Sequence, residues 1–498
     1  MNGDANGHLE PTAHSYDIII VGAGISGVDA AYRIKTLLPH VSFTVLEGRH
    51  ELGGTWSLFK YPGIRSDSDL HTFGFPFNPW EKPNPIATGE SIIDYMHATT
   101  KKFGLDSKIQ YGHKVMQADW RSGEQKWRLE VDNHGRRKVC WAKFVIMGTG
   151  YYDYDQPLKA DIPGLERFQG ITVHPQFWPE DLDYRGKKMA VIGSGATSVT
   201  IIPAVVENGV GSVVQVQRSP SYIVNMPQRK PDDPLPLVER FLPRWMSLYI
   251  LRMQFMVFGI LLYAFCRQFP RLARWIVRTE ARKQLPENFP IDPHLEPRYD
   301  PWDQRMCFVP DSDYFKCFGT GRARIVTGTI KTVVEDGIEM NDGEKIDADI
   351  IVTATGLNIR VMGGIPLTVD NKPVHVPDHF LWRTMMLNDI PNLCTVIGYV
   401  NASWTLGADS TARLFVRLYK LMEENGYTCV FPKIGENEMK DPVPVLGLNS
   451  TYVKAAAKKF PRAANSGPWR PRDNPIFENW RATRADLRDG LQFDTVAT

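Results

Sequence analysis

The first regular pattern in the chain is YDIIIVGAGISGVDAAYRIKTLLPHVSFTVLEG, residues 16–48. Residues 17–21 predict a strand, a helical pattern follows as far as residue 38, and residues 42–46 predict a second strand. The turn between the first strand and the helix has the form G-x-G-x-x-G, with Gly22, Gly24 and Gly27. Such glycines permit a tight turn, the close approach of a pyrophosphate and close packing of helix on strand. The turn alone is typical of many tight loops, but its context predicts a dinucleotide-binding βαβ unit.

A second unit of the same kind is KKMAVIGSGATSVTIIPAVVENGVGSVVQVQRSP, residues 187–220. Residues 189–192 and 212–217 predict its two strands, and the three turn positions are Gly193, Gly195 and Ser198. Because Ser198 replaces the third glycine, we expect slightly looser packing of helix on strand, while the two phosphate-facing glycines remain. The chain is therefore expected to bind two dinucleotides.

The residue that ends the second strand differs between the two units. It is Glu47 in the first unit and Arg218 in the second. A carboxylate at this position accepts hydrogen bonds from free ribose hydroxyls, whereas an arginine pairs with a 2'-phosphate. This difference predicts FAD in the first unit and NADPH in the second.

Two further strand patterns, FVIMGTGYY at residues 144–152 and DIIVTATGLNI at residues 349–359, each run into a turn of small residues. Either one alone is typical of any buried parallel strand that stops at a glycine, but their positions after the two units favour crossovers between two domains. We predict an α/β fold with two Rossmann-like dinucleotide-binding domains and a helical insertion. The expected ranges are 16–148 plus 357–498 for the FAD-binding domain, 149–220 plus 299–356 for the NADPH-binding domain and 221–298 for the insertion.

Composition and charge narrow the class of protein. The chain has 498 residues, 43% of them hydrophobic, which is enough to bury several cores. Its net charge of +2 provides no strong basic field, so no nucleic-acid partner is expected. Six scattered cysteines, without metal-ligand spacing, favour a reducing compartment and no metal site. The polar start MNGDANGHLEPTAHS lacks the apolar segment of a signal peptide, so we expect a disordered leader and a cytoplasmic protein.

Residues 231–290 are rich in Arg, Leu, Phe and Trp and lack the strand-turn pattern, which predicts helices. The apolar run MQFMVFGILLYAFC lies between Arg252 and Arg267 and corresponds to about 21 Å of helix, too short for about 30 Å of hydrocarbon. Peripheral contact with an anionic membrane surface and a solvated helical subdomain are both open interpretations. The arginines that flank apolar residues here are Arg244, Arg267, Arg271, Arg274 and Arg278. After residue 366 a mixed α/β pattern returns, and roughly the last thirty residues are expected to be loops.

One stretch between the two units, FQGITVHPQFWPE at residues 168–180, does not read as core, helix or simple loop. Its pattern F-x-G-x-x-x-H-x-x-x-W-P resembles the fingerprint of type I Baeyer-Villiger monooxygenases, at Phe168, Gly170, His174, Trp178 and Pro179. N- and S-oxidising flavin monooxygenases share the first half of this fingerprint but lack the Trp-Pro ending. A second matching pattern is GTWSLFKYPGIRSD, with Gly54, Trp56, Tyr61, Pro62, Gly63 and Asp67. The resemblance extends from about residue 16 to 469, and phrases such as HPQFWPEDLDY and YVNASWTL are most similar to the ethionamide-activating subgroup.

The resemblance implies an activity. A member of this family uses FAD, NADPH and O2 to convert ketones to esters or lactones, and it commonly oxidises sulfides. An anionic oxygenated flavin must survive long enough to attack the carbonyl, which calls for a fixed cation and for exclusion of water. The resemblance places that cation at Arg305, in DQRMCFVPDSDYF, and an orienting carboxylate at Asp67. Without the resemblance, Arg305 would be interpreted as part of a surface salt bridge.

The resemblance also assigns cofactor contacts. It adds Gly54 and Trp56 to the flavin side and Ser219 to the NADPH side. Many family members have Lys immediately before the catalytic Arg, where this chain has Gln304, which leaves Arg218 as the main expected contact of the 2'-phosphate. His174 is expected to lie on a linker that moves with bound NADP and couples the domains. A packed, hydrogen-bonded His-Trp pair is the alternative interpretation.

Three alternatives to a Baeyer-Villiger monooxygenase remain open on the residues alone. The first is an N- or S-oxidising flavin-containing monooxygenase, which differs in giving no ester from a ketone. The second is a disulfide reductase, which the absence of a C-x4-C pair after the first unit disfavours. The third is a membrane-bound flavoprotein scaffold in which the arginine-rich helices matter more than turnover.

Overall fold

The computed structural model of the protein describes residues 14–229, 233, 237–435, 441–447 and 457–495. The expected disordered leader comprises residues 1–15, and its first 13 residues lie outside the described ranges. The described chain has two main sheets whose central strands run parallel and are flanked by helices. The predicted α/β class is therefore confirmed.

The first sheet is built around the strand His14–Val21, which pairs in parallel with Phe43–Leu46 and with Arg136–Met147. These strands are fully buried where they lie side by side, at residues 18–21, 43–46 and 144–147. The chain leaves this sheet after residue 147 and returns to it at residue 367, so the C-terminal third completes it. Among the described residues its strands are His14–Val21, Phe43–Leu46, Ile109–Gln110, His113–Arg121, Lys126–Asn133, Arg136–Met147, Leu367–Val369, Lys372–Pro373 and Leu393–Thr395.

The second sheet has five strands, all parallel, in the described part of the chain. Its order is Ala323–Thr327, Ser212–Gln217, Lys188–Ile192, Ile350–Thr353 and Ile171–Val173. The two strands predicted for the second βαβ unit and the strand predicted in DIIVTATGLNI are confirmed. Residues 171–173, within the expected linker, form the edge strand of this sheet. An antiparallel meander, Ile330–Val334, Gly337–Met340 and Lys345–Asp347, is attached to it.

Each βαβ unit contains the predicted helix. Helix α1, Ile25–Leu37, begins directly after Gly24, and helix α2, Ala196–Glu207, begins directly after Gly195. The close packing that the glycine pattern predicts is visible at Gly27, where an added Cβ would lie 1.8 Å from the Gly22 carbonyl oxygen. Any side chain there would push α1 away from the sheet.

The insertion is helical, as predicted, with one difference in length. Helix α3, Arg244–Gln268, has 25 residues and spans about 37 Å, because the helix continues through Arg252 and includes eight residues before it. The prediction that this segment is too short to cross a bilayer was therefore wrong: by length and composition α3 passes that test. Helix α4, Pro270–Arg282, follows it. The strand Ile223–Met226, which pairs with Cys307–Pro310, corrects the expectation that residues 221–298 are entirely helical.

The C-terminal part returns to the first sheet and packs on it. Helix α5, Trp404–Asn425, packs against α1, and helix α6, Pro475–Arg484, packs against α5. The strand Leu491–Asp494 pairs with Cys429–Pro432. The expectation of loops over the last thirty residues was wrong, because tertiary partners order two short elements whose sequence pattern alone is weak.

The remaining elements are short, except for the 14-residue helix Gly89–Lys102. The described helices are Thr55–Leu58, Leu70–Phe73, Gly89–Lys102, Leu237–Phe241, Ile291–His294 and Asp313–Cys317. The described strand pairs are Leu381–Trp382 with Met386–Leu387 and Pro442–Pro444 with Arg462–Ala464.

Candidate active site

Three cavities meet at one pair of side chains, Asp67 and Arg305, which line all of them. The first-unit cavity, about 450 Å³, lies against the first βαβ unit. The second-unit cavity, about 670 Å³, lies against the second unit. The α3 cavity, about 80 Å³, lies beside helix α3. The two nucleotide-type cavities and a small third one thus share a single charged junction.

The first-unit cavity is lined by the glycine turn and by the GTW segment, including Gly22, Gly24, Gly54 and Trp56. Gly22 has φ +100, a conformation that glycine adopts at no steric cost. Helix α1 starts at the cavity, and within the described residues no side chain caps its first turn and no acidic residue lies in it. The free N–H groups and the positive end of the helix dipole therefore suit a pyrophosphate. Gly27 lies behind the turn and does not line this cavity.

Glu47 lines the same cavity, but its carboxylate is tied to the backbone. Its Oε2 accepts a hydrogen bond from the Ala23 N–H at 2.6 Å, and its Oε1 accepts one from the Arg49 N–H at 2.9 Å. Burial raises the pKa of Glu47, and the backbone N–H groups act in the opposite direction. The side chain thus holds the glycine turn in addition to the ribose contact expected from the sequence.

The second-unit cavity is lined by Gly193, Gly195, Arg218, Ser219 and Gln304. Arg218 is exposed and makes no hydrogen bond or ion pair to any residue in the described ranges. Thr355, on the same cavity, has a buried Oγ1 that also lacks a partner in the described part of the chain. An uncompensated cation and an unsatisfied buried hydroxyl suit a polar, anionic ligand.

Ser198 does not line the second-unit cavity. It is fully buried behind the turn, and its Oγ has no hydrogen-bond partner among the residues described. A Cβ added at Gly193 would lie 2.9 Å from that Oγ, so Ser198 fills space next to the turn. The third turn position of this unit is therefore occupied by a packed side chain that does not line the cavity.

Arg305 is held by the segment that carries Asp67. Its Nε lies 3.2 Å from Asp67 Oδ2, and its Nη2 donates to Ser68 Oγ at 2.8 Å. Both charged side chains are about one-third exposed, because they face the cavities. The structure thus brings together the two residues that the resemblance named and adds Ser68, which sequence reasoning missed although it directly follows Asp67.

The YPGIRSD turn bridges the two βαβ units. A Cβ at Gly63, where φ is +73, would lie 2.6 Å from the Ala204 side chain of α2. Burial raises the pKa of Tyr61 to about 12, and a side-chain hydrogen bond to Thr197 of α2 acts against that rise. Arg65 forms a two-pronged ion pair with Asp313, which lies in the helix Asp313–Cys317 that packs on α2. These contacts, which sequence reasoning did not assign, fix the junction between the units.

The wall shared by the two large cavities includes Tyr151, Tyr152 and Trp404. The hydroxyls of Tyr151 and Tyr152 lie 2.9 Å apart, and the Trp404 indole donates to Ser26 Oγ at 2.9 Å. Sequence reasoning missed all three, although they occur in FVIMGTGYY and YVNASWTL, which it had singled out.

The FxGxxxHxxxWP motif lies away from the junction. As far as the described ranges show, none of its defined residues, Phe168, Gly170, His174, Trp178 and Pro179, lines these three cavities. A Cβ at Gly170 would lie 2.4 Å from the Asp349 carbonyl oxygen, so the edge strand requires glycine there.

His174 caps the turn Pro175–Phe177, accepting from the Gln176 N–H at 3.2 Å, and burial lowers its pKa. Trp178 is buried in the core of the second unit. The motif therefore packs against the second unit and does not touch the reacting centre directly.

Comparison with known proteins agrees with this geometry. The family model of flavin-binding monooxygenase-like proteins matches residues 15–420. The FAD-containing monooxygenase EthA of Mycolicibacterium smegmatis is 41% identical over 463 residues, which cover 93% of this chain and 94% of the relative. Two solved structures share the fold. The polycyclic ketone monooxygenase of Thermothelomyces thermophila has a TM-score of 0.76 at 17% identity, covering 99% of this chain and 91% of its own. OTEMO in complex with FAD and NADP has a TM-score of 0.73 at 18% identity, covering 97% and 100%.

The sequence of the chain matches the family over most of its length. The same chain contains two glycine turns of the nucleotide-binding type, a cavity against each turn and a charged pair where the two cavities meet. The chain belongs to the flavin-binding monooxygenase-like family.

Proposed function

We propose that the protein is an FAD- and NADPH-dependent Baeyer-Villiger monooxygenase that inserts one oxygen atom of O2 next to a carbonyl and also oxidises sulfides. The observation that carries the proposal is the Asp67–Arg305 pair at the meeting point of three cavities. The reaction balances as ketone, O2, NADPH and H⁺ giving ester or lactone, NADP⁺ and water. Its partners are a small-molecule ketone or sulfide and O2.

FAD would occupy the first-unit cavity. Its pyrophosphate would lie on the N-terminus of α1, above Gly22 and Gly24, and Glu47 would hold the turn and face the ribose. Gly54 and Trp56 would line the far side. Reduced flavin supplies the activation of O2, and the surrounding protein excludes water from the reacting atoms.

NADPH would occupy the second-unit cavity. Gly193 and Gly195 leave room for its pyrophosphate at the start of α2, and the exposed Arg218 would pair with the 2'-phosphate, assisted by Ser219. Gln304 lines the same cavity and offers an uncharged hydrogen-bonding side chain there. Arg218 therefore carries most of the charge recognition.

Arg305 would stabilise negative charge that develops on oxygen during the reaction. Asp67 and Ser68 orient the guanidinium, and the Arg305 side chain lines all three cavities. In this role Arg305 is the catalytic residue, and Asp67 and Ser68 are positioning residues.

The chain would divide into domains as the sequence predicts, with ranges 16–148 plus 357–498 for FAD, 149–220 plus 299–356 for NADPH and 221–298 as the insertion. The FxGxxxHxxxWP motif would couple the second domain to the first as NADP binds and leaves, since its residues join an edge strand to a buried core. The enzyme would be cytoplasmic, with the insertion making peripheral contact with a membrane.

Product analysis tests the proposal. The purified, FAD-loaded enzyme is incubated with NADPH, O2 and a panel of linear and cyclic ketones, and products are identified by mass spectrometry. We expect esters or lactones in amounts that match the NADPH consumed. Sulfoxide from a sulfide together with no ester from any ketone would instead favour an N- or S-oxidising flavin-containing monooxygenase.

A further inference from the structure

The segment that orients Arg305 carries a second ion pair, two residues before Asp67. Arg65 binds Asp313 with both of its terminal nitrogens: Nη1 pairs with Oδ2, and Nη2 donates to Oδ1 at 3.3 Å. The Arg65 side chain is 11% exposed and that of Asp313 is 30% exposed. A two-pronged pair of this kind fixes both the distance and the angle between the chain segments that carry it.

The pair joins the same two segments that meet at Arg305. Residues 65–68 contact Arg305 at one end and Asp313 at the other. The strand Cys307–Pro310 lies between those two contact points in the chain. A catalytic side chain keeps its geometry when the segment that carries it is itself held, so the second contact point limits how far the guanidinium of Arg305 can move.

Asp313 is anchored in the second unit. It begins the helix Asp313–Cys317, which packs on α2, and its Oδ1 accepts a hydrogen bond from the Tyr314 N–H at 2.7 Å. The hydroxyl of the buried Tyr314 donates to Gln215 Oε1 at 2.5 Å, in the strand Ser212–Gln217 of the second sheet. Asp313 is therefore held by the core of the second unit.

Arg65 is anchored in the first unit. It forms a backbone bridge with Thr88, and the neighbouring Ser66 N–H donates to the Ala87 carbonyl at 2.9 Å. Thr88 caps the helix Gly89–Lys102, whose apolar face is buried in the core around the first sheet. The ion pair therefore spans the two units.

The charges of the junction act on a common neighbour, Cys307, which lines both large cavities. Burial raises the pKa of the Cys307 thiol to about 12, and Asp67 acts in the same direction. Arg305 and Arg65 act against that rise. Arg65 therefore belongs to the same electrostatic cluster as Arg305.

We infer that Arg65 and Asp313 are positioning residues that hold Arg305 between the two cofactor cavities, so that oxygen is transferred to the substrate and is not released as hydrogen peroxide. The inference rests on the proposed function for the reaction at Arg305. In the uncoupled reaction NADPH, H⁺ and O2 give NADP⁺ and hydrogen peroxide, whereas oxygen transfer to a ketone gives ester and water. Misplacement of a reacting group by about 1 Å can lower a rate about 10²-fold, so a small shift of Arg305 changes the ratio of the two products.

An isosteric substitution tests the pair. Asp313→Asn keeps the oxygen that accepts from the Tyr314 N–H, but it places an amide NH2 group against Arg65 Nη1. Across the described ranges Asp313 lines none of the three cavities, whereas Arg65 lines the first-unit cavity, so Asp313→Asn is the cleaner variant. The matched control is Arg229→Gln, which breaks an ion pair of similar burial with Glu239 outside the lining of these cavities.

The FAD-loaded enzyme is supplied with NADPH, O2 and a ketone. We expect Asp313→Asn to raise the ratio of hydrogen peroxide to ester about tenfold, while NADPH reduces the flavin at the wild-type rate. Arg229→Gln should keep the wild-type ratio. If Asp313→Asn is not obtained as a folded flavoprotein, Arg65→Lys carries the same test with a smaller expected rise, because it keeps the charge and loses one of the two contacts.

The direction of the effect separates positioning from charge. Arg65→Gln should raise the ratio of hydrogen peroxide to ester as Asp313→Asn does, and the double variant should match the larger single effect. A purely electrostatic effect would act in opposite directions, because one variant removes a positive charge and the other a negative one. Opposite directions would overturn the inference, as would an unchanged ratio in Asp313→Asn.

A second combination tests whether the pair acts through Arg305. Adding Asp313→Asn to Arg305→Ala should leave the ester yield of Arg305→Ala unchanged, because no guanidinium remains to be positioned. A further fall in yield would assign the pair a separate structural role and overturn the inference.

A crystal structure of FAD-loaded Asp313→Asn gives a readout that does not depend on turnover. We expect Arg305 to lose its contact with Ser68 or with Asp67, which are 2.8 Å and 3.2 Å in the wild type. An Arg305 side chain that keeps both contacts would overturn the inference.

Failure of the proposed function gives a different result, because the wild type then converts no ketone to ester. The positioning is in that case measured without substrate, as the rate at which the reduced enzyme consumes O2 and releases hydrogen peroxide. We expect Asp313→Asn to release peroxide about tenfold faster than the wild type. Equal rates would overturn the positioning independently of the proposed function.

Discussion

The two βαβ units have nearly the same backbone and differ in how their strand-end charges are used. Gly24 precedes α1 with φ −77 and ψ −173, and Gly195 precedes α2 with φ −81 and ψ −177. Glu47 is buried and bonded to two backbone N–H groups, whereas Arg218 is exposed and uncompensated within the described residues. The comparison teaches that one fold can make a nucleotide site whose strand-end charge is bonded within the protein and another whose strand-end charge is left exposed to a ligand. The first suits a cofactor that stays bound, and the second suits one that exchanges.

The largest expected effect lies where the two units meet. Arg305→Ala removes the cation at the junction, and loss of one preorganised electrostatic stabiliser typically costs about 10²- to 10³-fold in rate. We expect ester formation to fall by this factor while NADPH still reduces the flavin and hydrogen peroxide is released. Stopped-flow flavin absorbance and product yield measure the two half-reactions separately.

The matched control for Arg305→Ala is Arg324→Ala, which breaks an exposed ion pair with Glu344 on the outer strand of the second sheet. We expect wild-type ester yield from this control. Normal ester yield in Arg305→Ala would remove the catalytic assignment.

The second prediction addresses the exposed strand-end charge of the second unit. Arg218→Ala removes the charge expected to pair with the 2'-phosphate, and a hydrogen bond to a charged group contributes about 1.5–3 kcal/mol. We therefore expect the KM for NADPH to rise about ten- to a hundredfold, while the KM for NADH changes little. An equal rise for both nucleotides would show that Arg218 does not distinguish them.

The third prediction addresses the tight packing of the first turn. Gly27→Ala places a Cβ 1.8 Å from the Gly22 carbonyl, so α1 must shift, and overpacking of this kind costs about 1–3 kcal/mol. We expect a lower free energy of unfolding and a reduced flavin content after purification. Gly195→Ala is the matched control in the second unit, because its Cβ meets nothing within 4 Å. A flavin content as low in Gly195→Ala as in Gly27→Ala would contradict the comparison of the two turns.

The smallest expected effect is that of Asp67→Ala. The Asp67–Arg305 pair is about one-third exposed on both sides, so solvent weakens it, and Ser68 still accepts a hydrogen bond from Arg305. We expect ester yield per NADPH to fall only a few-fold, and the double variant Asp67→Ala/Ser68→Ala to approach Arg305→Ala. The ratio of hydrogen peroxide to ester measures this loss of positioning. A loss in Asp67→Ala as complete as in Arg305→Ala would mean that the carboxylate has a direct role.

Local sequence was sufficient for much of the architecture. The strands of both βαβ units and the end of α1 lie within one residue of their predicted bounds, except that the first strand begins at His14, three residues before its predicted start. Each unit is contiguous, and its strand-turn-helix order follows from the chain's own sterics and periodicity. Weak patterns did worse: α6 was expected to be a loop, and the apolar run of α3 was expected to begin only after Arg252, because a charged residue resembles a boundary until its buried partners are known.

By itself the sequence determined the fold class, the two nucleotide turns and the family, since each depends on patterns within about thirty residues or on a motif that can be matched directly. Only the tertiary structure decided what those residues do to one another. It brought Arg305 to Ser68, 237 residues away, and bonded Glu47 to the glycine turn. It also left the defined residues of the FxGxxxHxxxWP motif outside the lining of the three cavities. The physical reason is that such contacts depend on how two sheets and an insertion pack together, and packing geometry is not encoded in any one local stretch.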